Sequence, residues 1–201
     1  MVNNLNLINK LCNWKPGTYY KFACIIRSKD GNSLLQVKEN KRELIVKHWL
    51  VENQDSFDKL IYDMLTYCRL FNARLYMTTD RKSTKKSLFN ISREVLHYLE
   101  QVCNGVGSDI SPNTMNKIVA SVSSVSESTD SELGSKRWLY DVDTKDETVL
   151  NKVIELCGEH YIATLETKNG YHVISNRQYS PNQVLPENVE IKSNSLTLLY
   201  M

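Results

Sequence analysis

Trp138-Leu139-Tyr140-Asp141-Val142-Asp143, and after it Thr167-Lys168-Asn169-Gly170-Tyr171-His172, decide how this chain is read. The first segment is an apolar run ending in carboxylates at alternate positions. It predicts a strand over residues 136–143. Residues 146–157 place Val149, Val153, Ile154 and Cys157 at helical spacing and stop at Gly158, which predicts a helix. Residues 161–166 and 171–175 predict strands joined by Lys168-Asn169-Gly170, with Asn-Gly in hairpin position. A short helical turn is expected over 180–185, with Pro181 at a tolerated first position. Final strands are expected over 189–192 and 196–200.

That order begins β-α-β-β, a split arrangement of the ferredoxin-like or RRM-like kind. Upstream, residues 19–27 predict a strand and Asp30-Gly31 a turn. Residues 34–37 are expected as the returning strand, and 44–51 as another. Phe57, Leu60, Ile61, Met64, Leu65, Cys68 and Phe71 share one helical face, with Asp55 as the expected N-cap. Residues 74–79 alternate as a strand. Ser83 or Thr84 caps a helix that ends near Asn104-Gly105. A short helix is expected over 112–120. The predicted class is α+β: an N-terminal α/β lobe over 1–120, a Ser-rich linker or mobile loop over 121–135, and an RRM-like β-α-β-β palm lobe over 136–201. Trp49, Trp138, Phe57, Phe71 and Phe89 read as core.

With 201 residues, 41% hydrophobic and 24% charged, the composition is that of a soluble globular chain. A net charge of +2 is too mild to argue for nucleic acid by itself. Five widely spaced cysteines show no zinc-ligand spacing and read as free thiols in a reducing compartment. No secretory signal or apolar run of membrane-spanning length is visible. A cytoplasmic location without membrane is therefore expected, the host cytoplasm if the chain is viral. Gly-x-Ser-x-Gly and phosphate-loop motifs are absent from the sequence.

Asp141 and Asp143 lie at i and i+2, on one face of a strand. Two such carboxylates repel unless a cation lies between them, and Mg²⁺ or Mn²⁺ suits oxygen ligands. The plainer alternative is a solvated Asp141 with Asp143 capping the next helix. Lys168, Gly170 and His172 offer a cation, a close backbone approach and a neutral donor, which suit phosphate. The plainer alternative is a surface hairpin. Glu190 is the candidate third carboxylate, with Glu166 a weaker substitute.

Taken together, Leu139-Tyr140-Asp141-Val142-Asp143 is similar to the hydrophobic-Asp-x-Asp motif of the archaeo-eukaryotic primase (primase-polymerase) superfamily. Gly170-Tyr171-His172 resembles that superfamily's small-x-His motif. Val189-Glu190 resembles its third motif, a hydrophobic residue followed by an acid. The resemblance spans about residues 136–192 and implies an RRM-like palm and a minimal or degenerate member, since no zinc module is recognisable. It implies metal ligation by Asp141, Asp143 and Glu190, with Mg²⁺ or Mn²⁺. It implies a catalytic role for Asp141, Asp143 and His172, and contact with nucleotide phosphates by His172, helped by Lys168 or Arg177. The implied partners are nucleoside triphosphates, DNA or RNA, and a replication protein.

Arg81, Lys82, Lys85 and Lys86 form the local basic cluster. One reading is a grip on a nucleic-acid backbone. The other is a solvated charge run. The leading function is metal-dependent nucleotidyl transfer on nucleic acid. Its rivals are a catalytically inactive module binding nucleic acid, nucleotide or protein on the same fold, and a metal-dependent nuclease.

Overall fold

In the computed structural model, residues 2–30, 43–105, 112–122, 125–177 and 184–201 are described. The expected strand over 34–37 and most of the expected helical turn over 180–185 lie outside them. Among the described residues the chain is mixed α+β, with two antiparallel sheets and five α-helices. Among the described residues no helix is long and apolar enough to cross a membrane.

The first sheet is built on β1 (Thr18–Arg27), whose aromatic and β-branched residues are buried on both faces. It pairs with β2 (Glu43–Val51), β3 (Arg74–Thr78) and the short β4 (Lys82–Ser83). Tyr20, Phe22, Cys24 and Ile26 share a core with Phe57, Met64 and Cys68 of α2 (Gln54–Leu70). The periodicity of α2 was legible in sequence, but its cap is Asn53 rather than Asp55. The Asn53 side chain accepts from the Ser56 N–H at 2.8 Å. At the N-terminus the single-turn α1 (Ile8–Leu11) adds Ile8 and Leu11 to the same core.

The second sheet contains β5 (Trp138–Val142), β6 (Tyr161–Glu166), β7 (Tyr171–Ser175) and β8 (Val189–Ser193), in the order β6-β7-β5-β8. Both β5 and β6 are antiparallel to β7, so they run parallel with β7 between them. Helix α5 (Glu147–Cys157) makes the crossover. It is capped by Asp146, whose carboxylate accepts from the Thr148 N–H at 2.8 Å. Val153 and Cys157 pack on Tyr140, Val142 and Val173, one face of the sheet. The other face turns towards the first sheet.

The predicted boundary at residue 136 does not separate the strands. After β8, Asn194 takes a left-handed conformation (φ 49°) and β9 (Leu196–Tyr200) pairs with β3 of the first sheet. Leu198 and Leu199 are buried there, which the outer edge of β8 would not provide. Asn4 then ties the sheets together. Its amide donates to the carbonyls of Glu166 on β6 (2.9 Å) and Leu198 on β9 (3.0 Å), and accepts from the Glu166 N–H (3.0 Å).

The Ser-rich stretch is only partly described, but residues 125–135 are docked rather than linker-like. Ser128, Thr129 and Ser135 are buried against β4 and α3 (Thr84–Cys103). Helix α3 presents polar residues inward: Asn90 faces Ser128 (3.3 Å), and Ser87 meets the Tyr19 hydroxyl (2.6 Å). Its outer face therefore carries Leu88, Leu96 and Phe89, and Phe89 is exposed rather than core. Helix α4 (Pro112–Val122) packs beside α3.

Candidate active site

Asp141 lies near the end of β5, directly opposite His172 on β7 and Glu190 on β8. Opposed residues of an antiparallel ladder project to the same side, so all three share the face turned to the first sheet. The His172 Nε2 is 3.5 Å from Asp141 Oδ1. Its Nδ1 is 3.0 Å from the hydroxyl of the buried Thr197 on β9, which fixes the ring from behind.

The Lys168-Asn169-Gly170 turn lies against the end of β5. A Cβ added at Gly170 would fall 1.8 Å from the Val142 carbonyl oxygen and 2.8 Å from the Thr144 nitrogen. Only glycine permits this backbone approach. It brings Lys168 and Asn169 into the lining of one cavity with Asp143.

Opposite this face stand Arg27, the last residue of β1, Arg74, the first of β3, and Tyr76. The space between is a cavity of about 350 Å³ whose lining includes these three with Asp141, Asp143, Lys168 and His172. A neighbouring cavity of about 410 Å³ shares Arg27, Tyr76, Asp141, Asp143 and His172, and adds Lys192 and Glu43.

No family model, curated protein or solved structure matches the chain.

Each arginine of the first wall is held by a carboxylate. The Arg74 Nε donates to Asp30 Oδ2 at 2.7 Å, and from the second sheet the Lys168 Nζ comes within 4.0 Å of Asp30 Oδ1. Arg27 pairs with Glu43, and its Nη1 donates to the Tyr76 hydroxyl at 3.2 Å. On the second wall the Lys192 ammonium donates to Asp141 Oδ2 and lies 3.1 Å from Glu190 Oε2. The His172 imidazole, then the Lys192 ammonium, hold the Asp141 carboxyl down at about 2 against the opposing effect of burial.

Glu190 faces the right way but is 70% exposed and engaged by Lys192. Glu166, the weaker substitute, pairs with Lys145 at 2.8 Å. Arg177 lies beyond the far end of β7 from His172, with its Nη1 3.2 Å from His160 Nε2. The basic cluster is not an exposed patch. Arg81 is 2% exposed and gripped by Asp130, Glu132, Ser135 and the Asn13 carbonyl. Lys82 is fully buried and donates to Thr129 (3.0 Å), Asn194 (2.5 Å) and the Val125 carbonyl (3.2 Å). Lys86 donates to the Thr129 carbonyl at 2.9 Å, and Lys85 is exposed.

Asp141, Asp143 and Glu190 are hard oxygen donors suited to Mg²⁺ or Mn²⁺. Their arrangement does not fit an ion, because the Lys192 ammonium stands between Asp141 and Glu190. Among the described residues no group of three or more His, Cys, Asp or Glu side chains is disposed to hold a metal.

Arg27, Lys192 and Thr197 were missed from sequence, and Arg74 was noted only as a strand residue. The signal for Lys192 was its i+2 spacing from Glu190, which puts both on one face. Arg74 and Tyr76 alternate with Leu75 and Met77. No local pattern reveals that this face of β3 meets β5 and β7.

Proposed function

We propose that the cleft between the two sheets binds the phosphates of a nucleoside triphosphate, and that the chain is a primase-polymerase-like nucleotidyltransferase acting on nucleic acid. In this reading β5 to β8 form an RRM-like palm, supported by the order β6-β7-β5-β8 and the crossover by α5. One observation carries it. Asp141 and His172 are direct cross-strand partners, and they face Arg27 and Arg74 over a cavity of about 350 Å³. Small-ligand sites span roughly 300–1,000 Å³. Planar guanidiniums with carboxylate partners can exchange those partners for phosphate oxygens, to which they bind in the same forked geometry. Lys168 adds a point charge at the mouth, and His172, oriented by Thr197, supplies a donor. No step is assigned to Mg²⁺ or Mn²⁺ while Lys192 lies between Asp141 and Glu190.

A second reading is a nucleotide-binding module without transfer activity. The Lys192 ammonium on Asp141 favours it, since the carboxylate is neutralised by the protein itself. Calorimetric titration of a nucleoside triphosphate, in chelator and in Mn²⁺, is the first test. Primer synthesis and extension on single-stranded DNA and RNA, with wild type and Asp141→Ala, is the second. Triphosphate binding with extension abolished in Asp141→Ala supports the transferase. Binding without extension supports the module. Absence of triphosphate binding under both conditions ends both readings.

A further inference from the structure

Glu190 and Lys192 alternate along β8, and Lys192 is paired with Leu139, the residue of β5 that shares the face of Asp141. The lysine stem thus runs diagonally over the ladder and delivers its ammonium between two carboxylates that oppose each other across β5 and β8. It donates to Asp141 Oδ2 and lies 3.1 Å from Glu190 Oε2. The other Asp141 oxygen is already 3.5 Å from His172 Nε2. Both oxygens of Asp141, the more buried of the two acids, are therefore faced by groups anchored to the protein. The ammonium itself is not locked in, because the Lys192 side chain is 42% exposed and that of Glu190 is 70% exposed.

We propose that Lys192 is a tethered cation that competes with divalent metal for Asp141 and Glu190 and keeps Mg²⁺ and Mn²⁺ out of the folded site. A hard divalent ion needs several oxygen ligands around it, and the Lys192 nitrogen occupies the position from which both carboxylates are reached. A second cation placed beside the ammonium meets its charge at close range in a partly buried site. The half-exposed lysine can swing into water, which makes the exclusion a competition. For the nucleotide cleft proposed above, on which the biological sense of this inference rests, phosphate binding is metal-independent at rest.

The test uses the full chain and Mn²⁺ alone. Wild type, Lys192→Met and Lys192→Gln are titrated with Mn²⁺, the free ion is read by electron paramagnetic resonance, and circular dichroism checks the fold. Both variants are expected to bind Mn²⁺ at least about tenfold more tightly than wild type. Adding Asp141→Asn to Lys192→Met should return the affinity to the wild-type level. Unchanged or weaker Mn²⁺ binding in both single variants overturns the proposal. So does micromolar Mn²⁺ binding by the wild type, a result that requires no variant to fold. Since no nucleotide is present, failure of the triphosphate titration and failure of this competition are read separately.

Discussion

Arg81 precedes a strand and Arg74 begins one, and both are buried and paired with aspartate, yet they belong to different kinds of region. Arg81 is enclosed by Asp130, Glu132, Ser135 and a backbone carbonyl, so its donors are spent inside the protein. Arg74 has Asp30 on one side and a cavity of about 350 Å³ on the other. Of these two arginines, only Arg81, with three other cations close by, reads in sequence as a candidate for binding nucleic acid. In the folded chain it is a polar lock that docks residues 125–135 onto β4 and α3. What separates the two is open volume beside the charge, and how many protein acceptors each cation already has. A buried cation that has enough acceptors holds structure. One that shares a single carboxylate at the rim of a cavity can take a ligand.

Substitution of Arg81 breaks this comparison most directly. Arg81→Met leaves the part-buried Asp130 without its guanidinium, and breaking such a pair costs about 3 kcal/mol. Urea denaturation should show that loss, while calorimetry on the folded fraction finds triphosphate affinity unchanged. A large fall in affinity at equal folded fraction would mean that the lock and the cleft are coupled.

Gly170→Ala comes next and acts on both sides of the comparison. The new Cβ would overlap the Val142 carbonyl oxygen at 1.8 Å, so the turn must lift from β5. Overpacking of this kind costs about 1–3 kcal/mol. Lys168 would be displaced with the turn from its place in the cavity lining. The expected result is a modest loss of stability in urea with a several-fold loss of triphosphate affinity. Unchanged affinity would show that the hairpin tip takes no part in binding.

These residues also mark how far the sequence could be read. The α2 and α5 periodicities, the β6–β7 hairpin and the strand holding Asp141 were legible, because local burial patterns and turn residues determine them. That the strand of His172 can neighbour that of Asp141 was legible from the split β-α-β-β order, whereas the register that pairs the two residues was not. Lys192 was within reach through the same alternation that places Glu190. Arg27 and Arg74 were not, since their role depends on one sheet facing another, and that contact comes from non-local packing. The return of β9 to the first sheet was hidden for the same reason, and Thr197 with it. The basic cluster misled because a run of cations looks identical whether water or Asp130 and Glu132 neutralise it.

The smallest effect expected is at Lys85, the cation of that cluster that stays exposed. It lies in the first turn of α3, just after Thr84, where a positive charge opposes the helix dipole and a negative one favours it. Lys85→Glu should therefore raise stability by about 0.3–1 kcal/mol in thermal or urea melts. If this end of α3 guides a nucleic-acid strand towards the cleft, the same change removes one phosphate contact. The slope of log affinity against log salt for single-stranded DNA should then fall by about 0.7. The two readouts move in opposite directions, so a general structural defect cannot imitate the result. A gain in stability with an unaltered salt slope would assign Lys85 to the solvated surface.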